Sequence, residues 1–190
     1  PIDVSGWLFE SYVTKEGATI PFGSRFYRRG RVNSTDPIML EPGEKAFVIT
    51  DESPIGVSFH ENKCTGYLNE FQDFRPSLTR SCPRPLQELE DHGRVDFDND
   101  ACYDFVKGIG TCKVPKQSEI DAADVSNGCE TFVEDVLNYN SCRDLHINEP
   151  FFDKGEWYIY LGRTDALWRK EREIIRLTDR SRRTVDVIEY

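Results

Sequence analysis

PIDVSGW (residues 1–7) alternates polar and apolar side chains, then places a glycine before Trp7. That pattern reads as a β-strand starting at the first residue, with Trp7 as a core anchor. The next stretches repeat the theme. VSGWLFESYV (residues 4–13) and ATIPFGSRF (residues 18–26) read as strands, the second bent or at an edge where Pro21 and Gly23 fall. In IMLEPGEKAFVIT (residues 38–50), Pro42 supplies a fixed φ and Gly43 tolerates a positive one, as a type II turn requires. Ala46 to Ile49 are apolar on both faces, which predicts a central strand.

The C-terminal stretch returns to the same style. GEWYIYLGR (residues 155–163) alternates Trp157, Ile159 and Leu161 with Tyr158 and Tyr160, so both faces are apolar or aromatic. EIIRLTD (residues 173–179) and TVDVIEY (residues 184–190) are two further strands. The RSRR between them is a polar turn without the glycine or asparagine of tight hairpins. Strands at both ends, closing on each other, predict a mainly β chain folded as a two-sheet antiparallel sandwich.

The middle differs. All six cysteines lie there: Cys64, Cys82, Cys102, Cys112, Cys129 and Cys142. The count is even and no CxxC pair occurs, so disulfides fit better than a zinc knuckle, and they imply an oxidising compartment. PRPLQELEDH (residues 83–92) suits a short helix with Pro85 in its first turn. DNDACYDFVKG (residues 98–108) has an acidic start, an apolar face of Ala101, Phe105 and Val106, and a terminal glycine. NGCETFVEDVLNYN (residues 127–140) sets Phe132, Val133, Val136 and Leu137 at helical spacing. These features predict a single domain, residues 1–190: a sandwich of residues 1–60 and 151–190 carrying a disulfide-stapled, partly helical subdomain of residues 61–150. If the last two helices form an antiparallel hairpin, the bridges are Cys102–Cys142 and Cys112–Cys129, with Cys64–Cys82 closing its own loop.

Several ordered elements together resemble the lamin tail domain. They are Val4-Ser5-Gly6-Trp7, then IPFGSRF (residues 20–26), the Pro42-Gly43 turn, and a final run with Trp168, Ile175, Leu177, Asp179, Val185, Asp186 and Tyr190. The likeness spans Ile2–Phe59 and Glu156–Tyr190, about half of the chain. It departs from the family in lacking a glycine in the last hairpin and in carrying the cysteine-rich middle. The resemblance implies an immunoglobulin-like sandwich, of the bacterial extracellular type, acting as a binding or structural module and not as a catalyst.

Net charge is −10 over 190 residues, which opposes nucleic-acid binding over the whole surface. Basic groups nevertheless cluster. Arg163, Arg169, Lys170, Arg172, Arg176, Arg180, Arg182 and Arg183 share one stretch with four acids, and Arg25, Arg28, Arg29 and Arg31 form a second cluster. Solvated strand faces and loop tips are the plain reading; a docking face for an anionic partner, centred on Arg163, Arg169, Lys170 and Arg172, is the sharper one. Tyr67, Phe71 and Phe74 in GYLNEFQDF (residues 66–74) read either as cover for a small core or as a ligand-binding surface.

Catalytic signals are weak. His60, His92 and His146 do not read as halves of an i, i+2 or i, i+4 metal pattern, six paired cysteines leave no thiol nucleophile, and GxSxG, Walker A and GxGxxG motifs are missing from the sequence. Asp96, Asp98 and Asp100, with Asp104, offer carboxylates to calcium, but Ala101 and Lys107 stand where an EF-hand needs glycine and glutamate. Acidic residues at a helix start are favoured by the dipole in any case. No apolar run reaches the length of a membrane helix. A start inside a strand predicts that any signal peptide or neighbouring domain lies outside these residues. The expected function is a non-catalytic extracellular interaction or structural module of a surface or secreted protein, without a cofactor, whose partner is a protein or cell-surface component. The other reading is the accessory domain of a secreted hydrolase, recognising polysaccharide or nucleic acid.

Overall fold

A computed structural model describes residues 1–92 and 100–190. The chain divides into two compact units, Pro1–Glu61 with Asp153–Tyr190, and Asn62–Phe152. Helix and strand take comparable shares, so the fold is mixed α/β with three disulfides. This corrects the expectation of a mainly β chain, because the cysteine-rich stretch is helical throughout its ordered elements.

The first unit holds β1 (Ile2–Asp3), β2 (Leu8–Ser11), β3 (Gly17–Thr19), β4 (Gly23–Ser24), β5 (Met39–Leu40), β6 (Lys45–Ile49), most of β7 (Ser58–Asn62), β8 (Asp153–Tyr160), β9 (Ile174–Thr178) and β10 (Thr184–Glu189). Strands β10, β9, β2 and β3 form an antiparallel sheet in that order, with Leu8 opposite Thr178 and Ser11 opposite Ile175. A second sheet has the order β4, β7, β8, β6, and β1 pairs with β5. The second sheet is not purely antiparallel. β4 runs parallel to β7, and β6 runs parallel to β8 with Ala46 opposite Trp157. Those pairs cannot be joined by tight hairpins and need long connections.

Val4, Ile20, Ile38, Trp157 and Ile159 make the buried cluster of this unit. Phe9 of the first sheet and Ala46 and Val48 of the second pack against it, as does half-buried Trp7. Two local devices prepare this arrangement. Gly43 has a φ of 90°, and the Glu44 N–H donates to the Glu41 carbonyl at 3.1 Å, closing the Pro42-Gly43 turn. In the glycine-free turn before β10, Arg182 itself takes a φ of 63°. Asp179 holds it there: its Oδ1 accepts from the Ser181 N–H at 2.8 Å and the Arg183 N–H at 2.9 Å. The backbone bond from Arg183 holds the Asp179 carboxyl below its ordinary value.

Glu173 ends the segment leading into β9 and is fully buried. Its carboxylate accepts from Ser11 Oγ at 2.8 Å, the Arg169 N–H at 2.9 Å and the Ile174 N–H at 3.0 Å. Burial pushes its pKa up, but these donors prevail and hold it below the ordinary 4.5. A depressed folded value stabilises the fold fully above the unfolded pKa, and that contribution is lost as pH falls through the folded one. Glu173→Gln is therefore expected to be less stable than the parent at pH 7, with the gap closing on acidification. Urea titrations between pH 7 and 2 check this, and a gap constant with pH refutes it.

The second unit contains a short 3-10 helix (Thr65–Glu70), α1 (Pro85–His92), α2 (Asp100–Gly108), α3 (Gln117–Ala123), α4 (Asn127–Val136) and α5 (Tyr139–His146). Pro85 opens α1, where its missing N–H costs nothing. Ser126 caps α4, and Asn138 caps α5 by accepting the Ser141 N–H at 3.0 Å. Leu89, Val106, Ile120, Phe132, Val133 and Leu137 form its core, with the Cys102 and Cys129 sulfurs inside it.

The disulfides are Cys64–Cys142, Cys82–Cys112 and Cys102–Cys129, so each of the three expected pairs (Cys64–Cys82, Cys102–Cys142, Cys112–Cys129) is corrected. The reason is local. The helix read over residues 127–140 ends at Val136, and Asn138 starts a new one. Cys142 thus sits on α5 and not at the end of the Cys129 helix, and it reaches Cys64. Cys102 and Cys129 both lie near helix starts, so α2 and α4 are joined start to start.

Candidate functional site

Among the described residues, one group of three side chains has the composition and spacing to hold a metal ion: Glu88, His92 and His146. Glu88 and His92 are four apart on α1 and so share a face. His146 is the last residue of α5. Glu88 and His146 are buried, and His92 is half-buried. Glu88 Oε1 lies 2.8 Å from His146 Nε2, and Glu88 Oε2 lies 3.9 Å from His92 Nε2. The other ring nitrogen of His146, Nδ1, is 2.6 Å from Glu149 Oε1. Lys63 Nζ donates to Glu149 Oε2 at 2.7 Å, and this bond, the largest effect there, holds the Glu149 carboxyl below its ordinary range. Burial raises the Tyr67 hydroxyl pKa strongly, and the charge of Glu88 raises it further.

The sequence signal for this group was the Glu88–His92 spacing, which is one half of a metal-ligand pattern on a helix. This corrects the expectation that His92 forms no i, i+4 pair with another ligand type; the third member, His146, lies 58 residues from Glu88 and is brought in by packing alone. The weaker calcium set fares differently. Asp96 and Asp98 lie outside the described residues, and Asp100 is exposed at the start of α2, outside the Glu88–His92–His146 group.

In the first unit, His60 is fully buried between Glu44 (Nε2 to Oε1, 3.1 Å) and Asp153 (Nδ1 to Oδ1, 3.5 Å). Arg25 binds Asp153 Oδ2 at 2.8 Å. Burial alone raises the Asp153 carboxyl; the nearby His60 ring and the hydrogen bond from Arg25 outweigh it and hold it low. With its ring edge against Trp157 at 5.0 Å, His60 is positioned as a pin between strands.

The aromatic loop does not present one surface: Tyr67 and Phe74 are buried and only Phe71 is exposed. Of the basic residues, Arg163 is held by Glu16 at 3.1 Å and by the Gly17 carbonyl. Arg176 pairs with Glu10 and Arg180 with Asp3. The exposed side chains of Arg169, Lys170 and Arg172 have no ion pair among the described residues. They come next to the end of β10, because the Tyr190 hydroxyl donates to the Arg169 carbonyl at 2.9 Å and the Glu173 N–H donates to the Tyr190 carbonyl.

β10 itself is the outermost strand of its sheet and every one of its residues is exposed. Val185, Val187, Ile188 and the following Tyr190 are each about half exposed. Sequence periodicity identified the strand but carried no sign that both faces are open. Among the described residues, no helix is long and apolar enough to cross a membrane. Compared with protein-family models, curated proteins and solved structures, this chain matches none.

Proposed function

We propose that the chain is a non-catalytic interaction module of an extracytoplasmic protein. In this reading the first unit is an immunoglobulin-like sandwich of the lamin tail type, and its β10 edge takes an extended, acidic segment of a protein partner. The observation that carries the reading is β10: an edge strand whose outer side pairs with no strand among the described residues, its Val187 N–H taken only by the neighbouring Asp186 Oδ1 at 2.8 Å, with Val185, Val187, Ile188 and the following Tyr190 open to solvent. Such edges pair with other strands unless they are blocked. Basic groups flank it at both ends, Arg182 before Thr184 and Arg169, Lys170 and Arg172 beside Tyr190, while Arg183 is paired with Asp179 at 2.7 Å; the whole chain carries −10. That favours an acidic strand as the occupant. Three buried disulfides support an oxidising compartment. The sandwich reading is supported by the cluster that draws in Phe9 from one sheet and Val48 from the other.

An eight-residue peptide of alternating valine and glutamate tests the reading. It is expected to protect the amides of residues 184–189 from hydrogen exchange, with affinity falling as salt rises. Val187→Lys combined with Ile188→Lys is expected to weaken binding at least about tenfold while changing stability by no more than about 0.5 kcal/mol, since both side chains are half exposed. No protection along β10, or binding there of a polysaccharide or duplex DNA in place of the peptide, overturns it.

A further inference from the structure

Glu88 is a buried carboxylate whose Oε2 has no hydrogen-bond partner among the described residues. An unsatisfied buried oxygen of that kind is costly and calls for an explanation. His146 poses a second problem in the same place. Both of its ring nitrogens face carboxylate oxygens, Nδ1 at 2.6 Å and Nε2 at 2.8 Å. A neutral imidazole has one donor and one lone pair, yet both nitrogens here meet carboxylate oxygens. His92 Nε2 completes the group from the same face of α1, and one ligand atom from each of the three residues lies within 4.8 Å of the others.

We infer that Glu88, His92 and His146 bind one divalent transition-metal ion of the zinc class. Two imidazoles and a carboxylate are the donor set that such ions prefer over calcium or magnesium. Bonds of about 2.0–2.2 Å at tetrahedral angles put neighbouring ligand atoms about 3.4 Å apart. The 2.8 Å contact to His146 is made by Oε1 and the 3.9 Å contact to His92 by Oε2, so the carboxylate must turn slightly to offer one oxygen to both rings; one ligand atom from each residue is already within 4.8 Å of the others. His92 is half-buried, so a fourth ligand there would be a solvent molecule. The outer support is already in place: Glu149 fixes His146 through Nδ1, leaving Nε2 for the metal, and Lys63 anchors Glu149. A carboxylate behind a ligating histidine is the usual second layer of such sites. The site lies wholly in the second unit and is independent of the β10 edge.

Zinc chloride is titrated calorimetrically into the untagged, disulfide-intact chain at pH 7.5, with magnesium and calcium chloride as parallel titrants. One equivalent of zinc is expected to bind and to raise the melting temperature, and cobalt(II) at the same site is expected to give the visible bands of a tetrahedral ion. His92→Ala, which removes a half-buried side chain, is expected to keep the metal-free melting temperature and to lose at least about 100-fold in affinity. Glu149→Gln is expected to lose about 10–100-fold. The inference is overturned by the lack of a one-equivalent zinc event, by wild-type affinity in His92→Ala, or by calcium or magnesium binding as tightly as zinc.

Discussion

The variant Cys64→Ala/Cys142→Ala is expected to lose about 4 kcal/mol of stability under non-reducing conditions, the largest loss among the three bridges. The bridge joins residues 78 apart, from the start of the 3-10 helix to α5. Opening a loop of that size frees about 4.5 kcal/mol of unfolded-chain entropy in the chain-entropy account, against about 3.6 kcal/mol for the separations of 30 and 27. Alanine is chosen because both sulfurs are buried, and a serine hydroxyl there would add a desolvation cost of its own. The surroundings leave little room for compensation. A side chain on Gly66, two residues from Cys64, would collide with Cys112 Sγ and come within 2.8 Å of the Thr79 carbonyl. Urea unfolding of the three alanine pairs measures the ranking, and peptide mapping of the parent without reductant checks the pairs themselves. A loss below about 2 kcal/mol, or one smaller than that of the Cys102–Cys129 pair, refutes the prediction.

That misreading of the bridges illustrates which features a sequence exposes. The Pro42-Gly43 turn closes over four residues, so its signal is complete within the quoted stretch, and Gly43 takes the positive φ it requires. The apolar spacing of Phe132, Val133 and Val136 is equally local and lies on α4. What misled was the end of that helix. Asn138 can continue a helix weakly or cap a new one strongly, and the cap prevails because its Oδ1 takes the Ser141 N–H. One misplaced boundary moved Cys142 to another helix, and the start-to-start joining of α2 and α4 separately brought Cys102 to Cys129. Strand direction failed for a different reason. Alternation reports which face is buried and is the same for parallel and antiparallel neighbours, so the β6–β8 pairing was not legible. The Glu88–His92–His146 group was half legible, as one helical turn of α1, and half hidden, since packing alone brings His146 to it.

Trp157→Ala is expected to destabilise the first unit by about 4 kcal/mol, lowering the melting temperature by roughly 8–16 °C. Trp157 is 2% exposed and sits at the centre of the cluster with Val4, Ile20, Ile38 and Ile159. Its indole Nε1 has no hydrogen-bond partner among the described residues, so truncation removes packing and no polar contact seen there. The site cannot collapse easily to fill the void. Gly23 is already as close as backbone can be: a Cβ there would meet Trp157 Cζ3 at 2.8 Å and Ile38 Cγ1 at 3.0 Å. The β4–β7 and β6–β8 ladders hold the surrounding main chain in register. His60 leans on the ring edge and is itself tied to Glu44, so its imidazole loses a wall it cannot replace with water. Because the loss is one of volume, Trp157→Phe is expected to recover more than half of it. Chemical denaturation of the two variants, together with amide exchange over residues 157–160, measures both effects. A loss under about 1.5 kcal/mol for the alanine variant, or a phenylalanine variant no better than alanine, would show that the first unit is not organised around this side chain.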